Sequence, residues 1–194
     1  MNASRLLYLQ GCLLVLLAGT LWSFGGLILR HVREADEWQF LFYRSVGLAL
    51  VLLLQFRLQR AGSVLGRYRE SGGVGIAATL CVAVSAVSFI YSLTHTSVAN
   101  SLLLTSVSPL LTVALGYWVL GERLDRRTAL ALLLALAGIA VMVRGDLGRG
   151  QWFGNVMALT SALAFAGYSV CLRLGRERDM LPAVLVYALL TALV

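Results

Sequence analysis

The feature that most constrains this chain is a succession of seven apolar stretches, the first of which runs for 24 residues without a charge. A helix of that length extends about 36 Å, enough to cross a hydrocarbon core of about 30 Å with some tilt. The first stretch is too long for a cleaved signal peptide and further spans follow it, so we interpret it as a retained helix. The pattern predicts an all-α, polytopic helical membrane protein. The stretches cover residues 6–29, 38–56, 72–94, 97–121, 128–143, 151–172 and 180–194.

Composition and charge support the same class. Hydrophobic residues make up 59% of the chain and charged residues 13%, fractions that are unusual for a soluble domain. All 16 basic residues are Arg. With the N-terminus in the cytoplasm, 11 of them fall on the cytoplasmic side and 4 on the opposite side, which is the positive-inside pattern. We therefore expect a multi-pass protein of the cell membrane, here the bacterial inner membrane, that contacts the lipid bilayer and binds no nucleic acid.

The cysteines and histidines indicate neither a metal site nor hydrolytic chemistry. Cys12, Cys81 and Cys171 lie in separate apolar spans with no paired spacing. The two histidines fall at helix ends, and no GxSxG or HExxH motif occurs. The chain is therefore predicted not to be an enzyme and to carry no metal and no cofactor.

An internal repeat is indicated by small residues that recur at an offset of 142 positions, as Gly19 does with Ser161 and Gly25 with Gly167. If the sixth span repeats the first, the repeat unit has five helices. A unit with an odd number of spans is inverted in its second copy, an arrangement found in many secondary transporters. The sequence thus predicts a first repeat over residues 1–145 and the start of a second over residues 151–194.

Polar residues in the third and fourth spans are spaced so that they form stripes at helical periodicity. Small hydroxylated residues also let transmembrane helices pack closely, so lining a cavity and packing are about equally favoured for any single one. The stripe of the fourth span contains Ser97, Ser101, Thr105, Ser108 and Thr112, and that of the third contains Cys81, Ser85, Ser88 and Ser92.

Asn100 and Pro109 favour a cavity wall more strongly. An amide has more hydrogen-bonding groups to satisfy in hydrocarbon than a hydroxyl has. Pro109 has no N–H, so it leaves the Thr105 carbonyl without its helical partner and kinks the helix. At membrane depth such a carbonyl is tolerated where protein or a water-filled cavity satisfies it. A kinked, hydroxyl-lined helix is a reasonable wall for a substrate path, which we expect Asn100 and Thr105 to share with Ser85 and Ser88.

The run HTSVANSLLLTSVSPLLTVALGYWVLGERL, followed by an apolar span with LALAGIAVMV, resembles the EamA-like branch of the drug/metabolite transporter superfamily. The resemblance includes a small-residue turn at residues 96–100, Pro109, Gly-Glu-Arg at residues 121–123 and Gly138. The first-helix motif of the family appears at residues 21–23 with Ser23 in place of Gly, and its second-helix Arg as Arg44. The resemblance implies ten helices in two inverted five-helix repeats and movement of small metabolites such as amino acids. This chain carries one repeat and part of the next, so we expect it to be a truncated form.

Four further residues complete the predicted substrate path. Arg44 lies about 9 Å inside its span, where it either snorkels outward or attracts an anionic group such as a substrate carboxylate. Trp22 and Tyr168 lie in mid-helix, where core packing is favoured over ligand stacking. Gly26, opposite Tyr168 at the repeat offset, allows close approach of the two halves.

These features predict a secondary transporter of a small organic metabolite that works by alternating access between two repeats. A non-transporting membrane scaffold or a receptor-like membrane protein is the alternative. The absence of Lys excludes a retinal Schiff base. The expected partners are a small-molecule substrate and the lipid bilayer. The sequence leaves open whether the chain forms a homodimer.

Overall fold

A computed structural model describes residues 3–31, 37–59, 63–121, 125–146 and 151–193; within these ranges the side chains of residues 3–7, 22–23, 25–31, 139 and 142–146 are not described. All regular structure in these ranges is helical, which confirms the predicted all-α class. The helices are α1 (Ala3–His31), α2 (Glu37–Leu58), α3 (Val64–His95), α4 (Val98–Thr105), α5 (Ser108–Leu120), α6 (Arg126–Asp146), α7 (Trp152–Leu174) and α8 (Leu181–Leu193).

Every predicted span corresponds to a helix, except that the fourth is divided between α4 and α5. Within the described residues, four helical segments are long and apolar enough to cross a membrane, namely Glu37–Leu58, Val64–His95, Val98–Leu120 and Trp152–Leu174. Shorter apolar helices cover Tyr8–Leu21 and Leu181–Leu193. The chain is therefore a polytopic helical membrane protein, as the sequence predicts.

Two compact units make up the chain. Unit 1, Met1–Asp36, contains α1 as a single apolar helix. Unit 2, Glu37–Val194, contains the other helices. The two units are defined by contacts within each unit and not by sequence similarity. The predicted repeat boundaries at residues 145 and 151 therefore stay a prediction.

The core of unit 2 is built where α2 and α3 pack against α7 and α8. The most extensive helix contacts are those of α3 with α7, α2 with α8, α5 with α7 and α3 with α8, and α4 also packs on α7. The main apolar cluster lies among α2, α3 and α8, and its large members include Leu41, Phe56, Ile90 and Tyr187. Helices α2 and α3, which the sequence assigns to the first repeat, thus pack against α7 and α8, which it assigns to the second.

The connection between α2 and α3 is shorter than the gap between the predicted stretches 38–56 and 72–94, because α3 already begins at Val64. The helix bends at Gly72, whose φ of 59° is left-handed and therefore suits glycine. The α7–α8 connection holds this bend: Arg178 Nη1 donates to the Ser71 carbonyl at 3.1 Å, and Arg67 forms an ion pair with Asp179. Asp179 also accepts from the Leu181 N–H at 3.0 Å, at the start of α8.

Candidate functional site

The helix predicted from the fourth apolar stretch is broken near its middle. α4 ends at Thr105, α5 begins at Ser108, and the two residues between them lie in a turn. Pro109 stands in the first turn of α5, where it has no N–H to offer the Thr105 carbonyl. The break lies about 12 Å along the 23-residue segment Val98–Leu120, which is apolar enough to cross a membrane. The predicted interruption is therefore confirmed, and it lies near the middle of this apolar segment.

Backbone hydrogen bonding around the break departs from the regular helical pattern. The Leu110 N–H bonds to the Val107 carbonyl at 2.9 Å, three residues back instead of four. The Val107 N–H bonds to the Leu104 carbonyl at 3.4 Å, again three residues back. Within the described part of the chain, no backbone N–H reaches the Thr105 carbonyl. The interruption therefore releases a strong hydrogen-bond acceptor inside an apolar segment.

The hydroxyl stripe of this segment bonds mainly to its own backbone. Thr105 Oγ1 donates to the Ser101 carbonyl at 2.7 Å and lies 3.1 Å from the Leu102 carbonyl. Thr112 Oγ1 donates to the Ser108 carbonyl at 2.8 Å. Such bonds satisfy hydroxyls in an apolar setting, as the packing alternative requires. Thr105 is half-buried, and its contact with a substrate stays a prediction.

The stripe on α3 faces α7. Ser85 Oγ donates to the Ser161 carbonyl at 3.1 Å, and Ser161 Oγ donates to the Ser85 carbonyl at 2.9 Å. The reciprocal pair joins two helices that the sequence assigns to different repeats. Ser88 is buried on the same helix, and Cys81 Sγ would lie 3.1 Å from a Cβ placed on Gly167 of α7. In this conformation the stripe serves helix packing, and substrate contact by Ser85 and Ser88 stays a prediction.

A polar cluster joins the α3–α4 turn to the start of α7. Thr96 Oγ1 lies 3.1 Å from Gln151 Oε1 and 3.1 Å from Asn155 Oδ1, and its single proton serves one oxygen at a time. Asn100 Nδ2 reaches the same hydroxyl at 3.5 Å, and the Asn100 N–H donates to Ser97 Oγ at 3.1 Å. Asn100 is therefore held in a polar cluster at the first turn of α4, and its place in a substrate path stays a prediction.

The backbones of α3 and α7 approach closely beside this cluster. A Cβ on Gly154 would lie 2.6 Å from the His95 carbonyl carbon and 2.7 Å from the Thr96 nitrogen. Both atoms belong to the backbone, so they cannot move aside as a flexible side chain would. One turn earlier on α3, Ser92 Oγ lies 2.6 Å from Ser101 Oγ and joins α3 to α4. The α3–α4 turn is thus fixed against α7.

A second polar group lies between α2 and α8. Arg44 is half-buried and makes contacts within the fold. The next residue, Ser45, is buried and shares a hydrogen bond of 2.8 Å with Thr191 Oγ1. Tyr187, one turn before Thr191, is 2% exposed. We call Arg44, Ser45, Tyr187 and Thr191 the α2–α8 polar group.

The remaining predicted residues are placed as follows. Trp22 and Gly26 are helical positions of α1, and their side-chain surroundings lie outside the described residues. Tyr168 is half-buried on α7 and packs against the small apolar cluster around Ala78. Its ring centroid is 6.0 Å from that of Phe165. Residues 122 and 123 of the predicted Gly-Glu-Arg motif also lie outside the described residues.

Several residues of these groups were not anticipated. Asn155 is an amide in an apolar span, so the argument applied to Asn100 could have found it. Tyr187, Ser45 and Thr191 carry no such signal, because single hydroxyls are common in transmembrane helices. Ser161 was noted only as a small residue in the repeat pattern. The pairing across helices depends on packing, which the sequence does not display.

The polar groups described above share one chemical character. They present hydroxyls, amides, a released carbonyl and one guanidinium, which can orient a polar solute. Among the residues that the structure describes, no group of three or more His, Cys, Asp or Glu side chains could hold a metal ion.

Comparison with known proteins places the chain in a family. The sequence matches the EamA-like transporter family over residues 9–144. It is 30% identical over 146 residues to protein RarD of Streptomyces exfoliatus, which covers 73% of this chain and 46% of that protein. It is 27% identical over 166 residues to the pseudopaline exporter CntI of Pseudomonas aeruginosa strains UCBPP-PA14 and PAO1. In both strains the match covers 84% of this chain and 57% of that exporter. The chain spans about half the length of these relatives.

No solved structure matches the chain. The family match covers more than half of the sequence, and it includes the interrupted α4–α5 segment. The chain therefore belongs to the EamA-like transporter family.

Proposed function

We propose that the protein is a secondary transporter of a small organic metabolite, such as an amino acid or a related compound. The observation that carries this proposal is the break between α4 and α5. In hydrocarbon an unbonded carbonyl costs several kcal/mol, so a released Thr105 carbonyl implies a polar neighbour. Broken helices at the bilayer midplane are where secondary transporters place their substrate and ion sites.

Alternating access between two repeats is the proposed mechanism. Support comes from the interleaving of α2 and α3 with α7 and α8, since a site at such an interface can be opened to either side when one group of helices tilts. The positive-inside excess of Arg supports a cytoplasmic N-terminus. That one relative is named an exporter supports outward movement of the solute. A homodimer stays a prediction.

The test is flux in proteoliposomes that contain the product of the whole gene. The probes are radiolabelled amino acids, supplied one at a time, and protein-free liposomes give the background. We expect flux of at least one probe above background, and reduced flux in Pro109→Ala. A probe that binds to the protein but never crosses would instead favour the scaffold or receptor-like alternative, and absence of both binding and flux would contradict the proposal for this class of solute.

A further inference from the structure

The first two turns of α3 form a piece of helix, residues 64–71, that is distinct from the rest of α3, and we call it the entry segment. Gly72 follows it with a φ of 59° and a ψ of −148°, values outside the helical region. A residue with a side chain would be strained at that φ, which glycine adopts readily. Beyond Gly72 the helix continues to His95. The entry segment is therefore joined to the rest of α3 at a bend that can act as a hinge.

Two contacts made by charged side chains hold the entry segment against the α7–α8 connection. Arg178 Nη1 donates to the Ser71 carbonyl at 3.1 Å. Arg67 pairs with Asp179, and the two side chains are 28% and 27% exposed. An ion pair with this exposure keeps access to water, so it can open without leaving a buried, unpaired charge. The entry segment is therefore held by contacts that can break while the rest of the fold stays intact.

The opposite end of the α3–α7 contact is held differently. There the backbones approach so closely that a Cβ on Gly154 would lie 2.6 Å from the His95 carbonyl carbon. Such a contact opens only when whole helices move apart, whereas the charged contacts at the entry segment open by movement of side chains and one short piece of helix. Of the two ends, the one at the entry segment therefore opens more readily.

A small apolar cluster lies next to the charged contacts. Its buried members are Ala78, Met180 and Ala183, and Cys171 of α7 packs against it. Met180 directly follows Asp179, and Ala78 lies about 9 Å along α3 from Gly72. Water that passed the entry segment would therefore reach this cluster and Cys171.

We propose that the entry segment is a clamp that closes the fold at the end where α7 finishes and α8 begins. It opens by rotation about Gly72 when the contacts of Arg67 and Arg178 break. By the distribution of Arg this end faces the cytoplasm. Alternating access needs one end of the helix interface to open while the other stays shut, and the clamp supplies that step. Its part in transport rests on the proposed function, but the opening itself does not.

Opening can be measured without transport by the rate at which Cys171 is labelled. The product of the whole gene, with every other cysteine replaced by serine, is treated in inside-out vesicles with a membrane-impermeant methanethiosulfonate reagent. Asp179→Asn removes the ion pair and keeps an oxygen for the Leu181 N–H. We expect this variant to be labelled about two- to fivefold faster than its parent. Arg69→Gln removes an exposed charge from the same segment and should leave the rate unchanged.

The hinge is tested by Gly72→Ala, which should also speed the labelling of Cys171, because alanine is strained at a φ of 59° and the added Cβ would lie 3.4 Å from Arg178 Nη1. Gly73→Ala is the matched control, since among the described residues nothing lies within 4 Å of a Cβ there. It should leave the labelling rate unchanged.

A second reporter separates local opening from loss of the fold. Ala158 is 0% exposed on α7, so Ala158→Cys, carried in place of Cys171, should stay protected in every variant. Unchanged labelling of Cys171 in either Asp179→Asn or Gly72→Ala would overturn the clamp whatever the flux measurements give, and so would equal acceleration at Ala158→Cys. The expected labelling without solute flux would support the clamp and contradict only the proposed function.

Discussion

Replacement of Gly154 by alanine tests whether the contact between α3 and α7 is as close as the structure shows. The added Cβ would lie 2.6 Å from the His95 carbonyl carbon, 2.7 Å from the Thr96 nitrogen and 2.8 Å from the His95 oxygen. Non-bonded carbon atoms prefer about 3.5–4.0 Å. All three neighbours are backbone atoms, so relief requires α7 to move away from the α3–α4 turn by about 1 Å.

The cost of that movement has two parts. Overpacking of a close contact costs about 1–3 kcal/mol. A shift of about 1 Å would also lengthen the hydrogen bond between Thr96 Oγ1 and Asn155 Oδ1, now 3.1 Å, beyond bonding distance. Loss of that bond adds about 1 kcal/mol. Together, the free energy of unfolding should fall by about 2–4 kcal/mol in Gly154→Ala.

The free energy of unfolding can be measured by SDS titration in mixed micelles, with helicity followed by circular dichroism. Gly47→Ala is the matched control, because nothing lies within 4 Å of a Cβ at that position. Alanine is favoured over glycine in a helix by about 0.5–1 kcal/mol, so the control should equal or exceed the wild type. A Gly154→Ala protein within about 0.5 kcal/mol of the wild type would refute the contact.

Three further predictions concern the helix contacts. A double-mutant cycle of Ser85→Ala and Ser161→Ala should give a coupling of about 0.6 kcal/mol in the same titration, the average for such bonds between transmembrane helices. A double-mutant cycle of Arg67→Ala and Asp179→Ala should give a coupling of about 0.2–1 kcal/mol, because both side chains of the ion pair are only about one-quarter exposed. Pro109→Ala should make the α4–α5 segment continuous, raise the free energy of unfolding and slow solute flux, because the substitution restores an N–H for the Thr105 carbonyl.

Each of these has a control and a contrary outcome. Ser169→Ala removes a hydroxyl that, among the described residues, bonds to the Phe165 carbonyl of its own helix, so it should show no coupling with Ser85→Ala. Coupling as large as that of Ser161 would argue against a specific pair. Arg69→Ala removes an exposed charge and should show no coupling with Asp179→Ala. For Pro109→Ala, amide hydrogen exchange at Leu110 shows whether the helix has become continuous. Slower exchange at Leu110 with unchanged solute flux would show that transport does not depend on the break.

The approximate positions of the apolar helices were readable from the sequence, because a segment that crosses hydrocarbon must bond its own backbone and present apolar side chains. That requirement acts locally, so charge-free stretches map onto helices one by one. The interruption in the fourth span was equally local, since Pro109 lacks an N–H whatever its neighbours are. The helical start of α3 at Val64 was missed because its charged first turns resemble a loop in a hydropathy pattern.

The partners of the polar residues were decided by tertiary structure alone. Periodicity showed that Ser85 and Thr105 lie on polar faces, but only packing shows that Ser85 bonds to α7 while Thr105 bonds within α4. In a helix with several polar positions, the choice among lipid, neighbour and cavity depends on distances between segments far apart in sequence. The Ser45–Thr191 bond spans 146 residues. The sequence therefore determined which segments form apolar helices and where one of them breaks. The tertiary structure decided which polar atoms are satisfied, because hydrogen bonds between helices depend on how the helices pack.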